Sequence, residues 1–217
     1  SRGVDTTRLV VVNVVTIEEF RSKALRAVDI YLKTEEEQRK PCMFVLDSLG
    51  MLSTEKEITD ALNDKQVRDM TKSQLVKGAF RMLTLKLGQA NIPLIVTNHT
   101  YDVIGSYIPT KEMGGGSGLK YAASTIIYLS KKKEKDKTEV IGNIIKAKTA
   151  KSRLSKENKE VNIRLYYDKR GLDRYYGLLE LGELGGLWKN VAGRYEIDGK
   201  KIYAKNIYAE PDKYFTE

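Results

Sequence analysis

One cysteine, one histidine and four prolines are spread over 217 residues. The lone thiol, Cys42, excludes an intrachain disulfide and any multi-cysteine zinc or iron–sulfur centre. The lone imidazole, His99, excludes a His-rich metal site. No apolar run comes near the ~20 residues of a membrane-spanning helix. The first residues carry no basic n-region followed by an apolar h-region. These absences predict a cytoplasmic protein with no membrane partner. At 41% hydrophobic and 31% charged residues, the chain reads as soluble and globular rather than disordered. It is long enough for one full α/β domain, or for one domain with a short appendage.

What the chain does have is positive charge, +9 in all, which suggests nucleic acid or another polyanion. The charge is local. Residues 131–159 hold eleven Lys or Arg against four Asp or Glu, a net +7, so the rest of the chain is nearly balanced. Within that tract, Lys131 to Lys137 alternates in sign around Glu134 and Asp136 and reads as a solvated hairpin tip. Lys146, Lys148, Lys151, Arg153, Lys156 and Lys159 begin inside a strand-like run and pass into a polar loop, a pattern suited to phosphate contact.

Residues 8–15 form a β-branched run and are expected to be a strand. Thr16-Ile-Glu-Glu19 has the form of a capping box, and Phe20, Ala24, Leu25, Val28 and Leu32 follow at helical spacing. Met43 to Leu46 is a short continuous apolar run, as in a strand buried on both faces. Leu75, Val76, Ala79, Phe80, Leu83 and Leu87 mark a second helix, and Ile92 to Thr97 another buried strand. Strand–helix–strand–helix–strand predicts a parallel, doubly wound sheet with helices on both faces. A long polar, Gly-rich stretch then occupies 101–118. Three strands without long helices between them (125–129, 140–148, 161–167) suggest an antiparallel extension of the sheet. Residues 171–217 read as a small α+β lobe, leaving 1–170 as the core.

Asp47 closes an apolar strand. In α/β sheets ligands bind at the carboxyl ends of strands, and a carboxylate there suits the water shell of a Mg²⁺ bridging nucleotide phosphates. This is the Walker B form, with Ser48 beside the acid. Asn98 and His99 follow the next buried strand, where a polar pair can sense a γ-phosphate. Gly114-Gly-Gly-Ser-Gly118-Leu-Lys120-Tyr121 does not meet the P-loop pattern. Only three residues separate Gly114 from Gly118, Leu119 intervenes before the lysine, and Tyr121 stands where a Mg²⁺-binding hydroxyl belongs. These glycines suit close backbone approach to a ligand or a hinge instead.

Taken in order, Leu46-Asp-Ser-Leu-Gly50, Asp60-Ala-Leu-Asn63, Asn98-His-Thr-Tyr101, Met113-Gly-Gly-Gly116 and Lys151-Ser-Arg153 resemble the motifs of the RecA family of recombinases, in its phage branch, the UvsX type. The resemblance runs over nearly the whole chain. It implies a RecA-like ATPase core using ATP and Mg²⁺, with Asp47 as Walker B acid. Asn98 and His99 match the switch that couples ATP to DNA binding; RecA itself has Gln where His99 stands. Residues near 54–69 resemble the first DNA-binding loop and 101–118 the second. In the latter, Gly115, Gly116 and Ser117 would present backbone N–H groups to phosphates, and Tyr107 would stack on bases, worth ~1–3 kcal/mol each. Lys77 and Arg81 match positions near the bound strand. Lys120 and Tyr121 match a subunit interface. The basic strand matches the pair that reaches a neighbouring subunit's ATP. Strand context favours Lys146 and Lys148; the Lys-Ser-Arg motif favours Lys151 and Arg153.

The resemblance implies partners as well: single-stranded and double-stranded DNA, and further copies of the chain in a helical filament. The family's P-loop and catalytic glutamate lie upstream of the position matching Ser1, so the 217 residues are expected to be a piece that does not hydrolyse ATP alone. Two other functions compete with strand exchange, a ring-forming helicase on the same fold and a non-catalytic DNA-binding or assembly module.

Overall fold

The computed structural model describes residues 5–65, 70–102 and 111–215. The chain divides into two compact units, 7–123 and 124–217 with the first six residues.

The first unit is built on two long helices. In α1 (Ile17–Lys33), Ile17, Phe20, Ala24 and Val28 recur on one face and are buried. Thr16 caps it, its hydroxyl accepting from Glu19 N–H at 3.1 Å. The carboxylate of Glu19 reaches back past the cap to Val15 N–H at 2.9 Å, and Lys23 beside it holds the acid below the usual carboxylate range. Strand β1 (Phe44–Leu46) runs parallel to β2 (Leu94–Val96), with Val45 opposite Ile95. Between them come α2 (Glu55–Leu62), whose capping box joins the buried Thr54 to Glu57, and α3 (Lys72–Ala90). α3 buries Val76, Ala79, Phe80, Leu83 and Leu87 against α1 and the inner side chains of the strands. Asn91 closes α3 in the left-handed conformation, one that asparagine tolerates better than most residues.

Beyond β2 the expected loop is partly structured. Strand β3 (Thr100–Asp102) pairs antiparallel with β4 (Lys111–Met113), and α4 (Gly116–Ala122) packs on α3 with Leu119 buried.

The run at 8–15 departs from expectation. Thr6–Arg8 form a 3₁₀ turn, and 9–15 join no ladder beyond a single parallel bridge between Thr16 and Ser53. Val10 and Val11 are 84% and 75% exposed. β-Branching suits a strand only where neighbours provide a surface to pair with. On the β1–β2 pair, Val45 and Ile95 are also exposed, so only the face bearing Phe44, Leu46, Leu94 and Val96 is packed into this core.

In the second unit β5 (Thr125–Asp136), β6 (Glu139–Ser152) and β7 (Glu160–Tyr166) form an antiparallel sheet of their own, rather than continuing the β1–β2 sheet. The charged stretch expected as a hairpin tip is mostly strand: Lys131 to Asp136 pair with β6, and the turn is confined to Lys137–Thr138. Sign alternation here is the two-residue period of a strand. The chain ends with α5 (Leu178–Leu184), the sheet of β8 (Lys189–Val191), β9 (Arg194–Ile197) and β10 (Lys200–Tyr203), then α6 (Ala204–Ala209) and α7 (Pro211–Tyr214). A small core of Leu179, Tyr195 and Ile207, with Trp188 and Phe215 against it, holds this segment together.

Candidate nucleotide and nucleic-acid site

Asp47 follows the last residue of β1, and the chain hydrogen-bonds across to the end of β2 on both sides of it. Thr97 N–H donates to Leu46 C=O and Leu49 N–H to Thr97 C=O, each at 3.0 Å. The Asp47–Ser48 peptide is cis. The exposed Asp47 carboxylate accepts the Thr97 hydroxyl through Oδ1 at 2.5 Å. Thr97 was not singled out from the sequence, because its role depends on the β1–β2 register.

Next along the chain, Asn98 faces two ways. Its Oδ1 accepts from His99 N–H at 2.9 Å, and its Nδ2 donates to Gly114 C=O at 2.8 Å. Gly114 N–H closes the ring on His99 C=O at 3.3 Å. A continuous set of bonds thus runs from the acid at the strand end to the start of the Gly-rich segment. His99 itself is exposed.

Gly115 and Gly116 take φ of +90° and +72° and turn the chain into α4; Gly116 and Ser117 are exposed. Gly118 lies against Lys77, where an added Cβ would sit 2.6 Å from the lysine Cβ. Lys77 and Arg81 are exposed on α3. Lys120 lies 3.9 Å from Glu112, and Tyr121 is 74% exposed. Tyr107 lies outside the described residues. In the stretch likened to the first DNA-binding loop, 55–62 form α2.

Among the described residues no cluster of three or more His, Cys, Asp or Glu forms a metal cage. The donor at the strand end is one exposed carboxylate. That fits Mg²⁺ in its usual nucleotide mode, in which one or two carboxylates, waters and substrate phosphates share the coordination sphere.

The basic sheet holds the other candidate residues. Lys148 stands opposite both Tyr128 and Glu160, and Lys146 opposite Ser130 and Asn162, so all share one face. Lys146 Nζ lies 2.7 Å and Lys148 Nζ 3.6 Å from the Glu160 carboxylate. That contact, with Lys146 foremost, holds Glu160 below the usual carboxylate range. Lys151, last but one in β6, is half-buried, and Arg153 just beyond the strand donates its backbone N–H to Ser124 C=O.

The family profile described as the RecA N-terminal domain matches residues 2–173. The chain belongs to the RecA family. Among characterised relatives it is 37% identical over 196 residues to the "Recombination and repair protein" of Enterobacteria phage T4, covering 90% of this chain and 48% of that protein. It is 26% identical over 202 residues to the "Protein RecA" of a Nocardioides species, covering 92% and 55%. The "Protein RecA" of Streptomyces rimosus is 27% identical over 202 residues, covering 92% and 51%. The chain spans about half the length of these relatives. The matched region takes in the Asp47–Asn98 set, which lies in the first unit, and the basic sheet, which lies in the second. No helix among the described residues is long and apolar enough to cross a membrane.

Proposed function

We propose that this chain serves an ATP-dependent DNA strand-exchange protein of the RecA type, which forms a helical filament on single-stranded DNA and takes up double-stranded DNA for recombination and repair. The observation that carries the reading is the bonded path from Asp47 through Thr97 and Asn98 to Gly114. A nucleotide sensor must be joined physically to the loop it controls, and a bonded path of this kind supports that reading.

In this reading residues 1–170 are the ATPase core and 171–217 a lobe carried on it, working in the host cytoplasm. Asp47 and Ser48 hold the water shell of Mg²⁺ on ATP, and the magnesium neutralises phosphate charge when bound. Asn98 and His99 pass nucleotide state to the second loop. There Gly115, Gly116 and Ser117, with Tyr107, meet the DNA backbone and bases, and Lys77 and Arg81 lie beside the strand. Lys120 and Tyr121 face the next subunit. Of the two basic pairs, Lys151 and Arg153 are favoured for reaching a neighbour's ATP, because theirs is the Lys-Ser-Arg motif that matches the family at the basic strand. Cations fixed there stabilise phosphate charge as it develops.

The test is electron microscopy of a protein carrying this core together with a P-loop, on single-stranded DNA with ATP. Helical filaments are expected, weakening steeply with salt because phosphate contacts dominate. Asp47→Ala should abolish hydrolysis without unfolding the protein. Closed rings, or normal turnover in Asp47→Ala, would overturn the reading.

A further inference from the structure

Gly50 lies in a 3₁₀ turn, Leu49–Met51, just after Asp47. It is not among the glycines that take positive φ, so its backbone does not call for glycine. What the position lacks is room. A Cβ built there would lie 2.9 Å from His99 Cδ2, 3.7 Å from His99 Cγ and 3.3 Å from Asn98 Oδ1. Among the described residues these are its nearest atoms, and all belong to the pair read above as the nucleotide sensor. Neither backbone is free to give way. Leu49 and Leu52 on either side of the turn are buried. Leu49 N–H donates to Thr97 C=O at 3.0 Å, and Leu52 N–H to Leu49 C=O at 3.1 Å. Across from them, His99 N–H is bonded to Asn98 Oδ1, and His99 C=O accepts from Gly114 N–H. The exposed ring of His99 is the part that would yield.

We propose that Gly50 is the seat of His99: its bare backbone sets the imidazole in working position beside the Asp47 turn, and so decides which side chain can serve at 99. This rests on the reading of Asn98 and His99 as the sensor. An imidazole is a rigid plate hung on two torsions. A methyl group at 50 would stand where the ring edge lies, and the whole ring would turn away. Glutamine also offers a donor and an acceptor, but it has a third torsion and no ring, so it can fold around the same methyl. Glycine at 50 therefore suits a ring at 99, whereas alanine suits an unbranched amide. Gly50 acts through His99 and is a positioning residue.

His99 is the only histidine, so the chain as it stands gives a single set of imidazole signals by NMR. An NOE from His99 Hδ2 to the Gly50 Hα protons is expected. Gly50→Ala should move the imidazole signals, while those of the Trp188 ring stay and the chain remains folded. Gly88→Ala, where an added Cβ meets nothing within 4 Å, should leave the imidazole signals in place. A protein carrying this core together with a P-loop gives the functional readout. There Gly50→Ala should lower DNA-stimulated kcat for ATP roughly tenfold, inside the ~10²-fold scale of a ~1 Å misplacement. KM should stay within about twofold, because the loss falls on the step rather than on binding. In a His99→Gln background, Gly50→Ala should cost nothing further in urea midpoint or kcat, the non-additivity of residues in contact. Imidazole signals that ignore Gly50→Ala, or an equal added loss in the glutamine background, would overturn the proposal. If His99→Ala loses DNA stimulation while Gly50→Ala keeps it, the seat role fails and the sensor reading survives. If His99→Ala is stimulated as well as the parent, the sensor reading fails and the proposal with it.

Discussion

Thr97 donates its hydroxyl to the Asp47 carboxylate at 2.5 Å, joining the ends of two parallel strands by a side-chain bond. The bond takes one lone pair of Oδ1 and restrains the carboxylate at the strand end. Thr97→Val keeps the shape and removes the donor. A hydrogen bond of this kind is worth about 0.5–1.5 kcal/mol, so ATP hydrolysis by a protein that joins this core to a P-loop should slow about two- to tenfold. Thr97→Ser should restore it, and Thr97→Val should lower the melting temperature by a few degrees at most, leaving the protein folded. An unchanged rate in Thr97→Val would show that the carboxylate needs no such support.

Asn98 offers a separate check on the path to the Gly-rich segment. Asn98→Ala removes the acceptor for His99 N–H and the donor for Gly114 C=O. Hydrogen exchange should then quicken about two- to tenfold at His99, Gly114 and β4, the loss of a bond or two. Amides inside α3 should be unaffected. Equal quickening throughout α3 would mean that Asn98 holds the whole unit together rather than one join.

Much of this was legible in the sequence, and the reasons for the rest are physical. Helices α1 and α3 announce themselves because their buried residues repeat at 3.6, and Thr16 marks the start of α1. Asp47, Asn98 and His99 stand out because strand ends are where α/β proteins place ligand groups. Thr97 and Gly50 escaped notice because each matters only through what the fold sets beside it, the Asp47 carboxylate for one and the His99 ring for the other. The 8–15 run misled for the opposite reason: its β propensity is local, whereas a strand requires a partner.

Two glycines near α4 should respond to alanine with opposite signs. At Gly118 an added Cβ would lie 2.6 Å from Lys77 Cβ and 3.0 Å from its Cα, and backbone cannot yield as a flexible chain end does. Gly118→Ala should destabilise the protein by about 1–3 kcal/mol. At Gly78, inside α3, nothing lies within 4 Å of the added atom. Gly78→Ala should stabilise by about 0.5–1 kcal/mol through helix propensity alone. Urea melts of the two variants beside the parent decide both. A stabilising Gly118→Ala would mean that α4 slides freely on α3.

Trp188 is the only tryptophan, so its fluorescence reports on the C-terminal segment alone. Its indole N–H donates to Leu179 C=O at 2.8 Å, and its ring lies edge-on to Phe215. The ring passes so close to Gly182 that an alanine Cβ there would fall 2.0 Å from Cζ2. No rotamer adjustment of a few tenths of an ångström relieves such an overlap, so in Gly182→Ala the indole must leave its place. It would lose both the Leu179 bond and its packing on the Leu179–Ile207 core. Trp188 emission should therefore shift to the red in native buffer, and the fluorescence transition in urea should move to lower denaturant by the equivalent of about 3 kcal/mol or more, the scale of losing a packed aromatic. Emission and midpoint identical to the parent would mean that Gly182 and Trp188 are not in contact in solution.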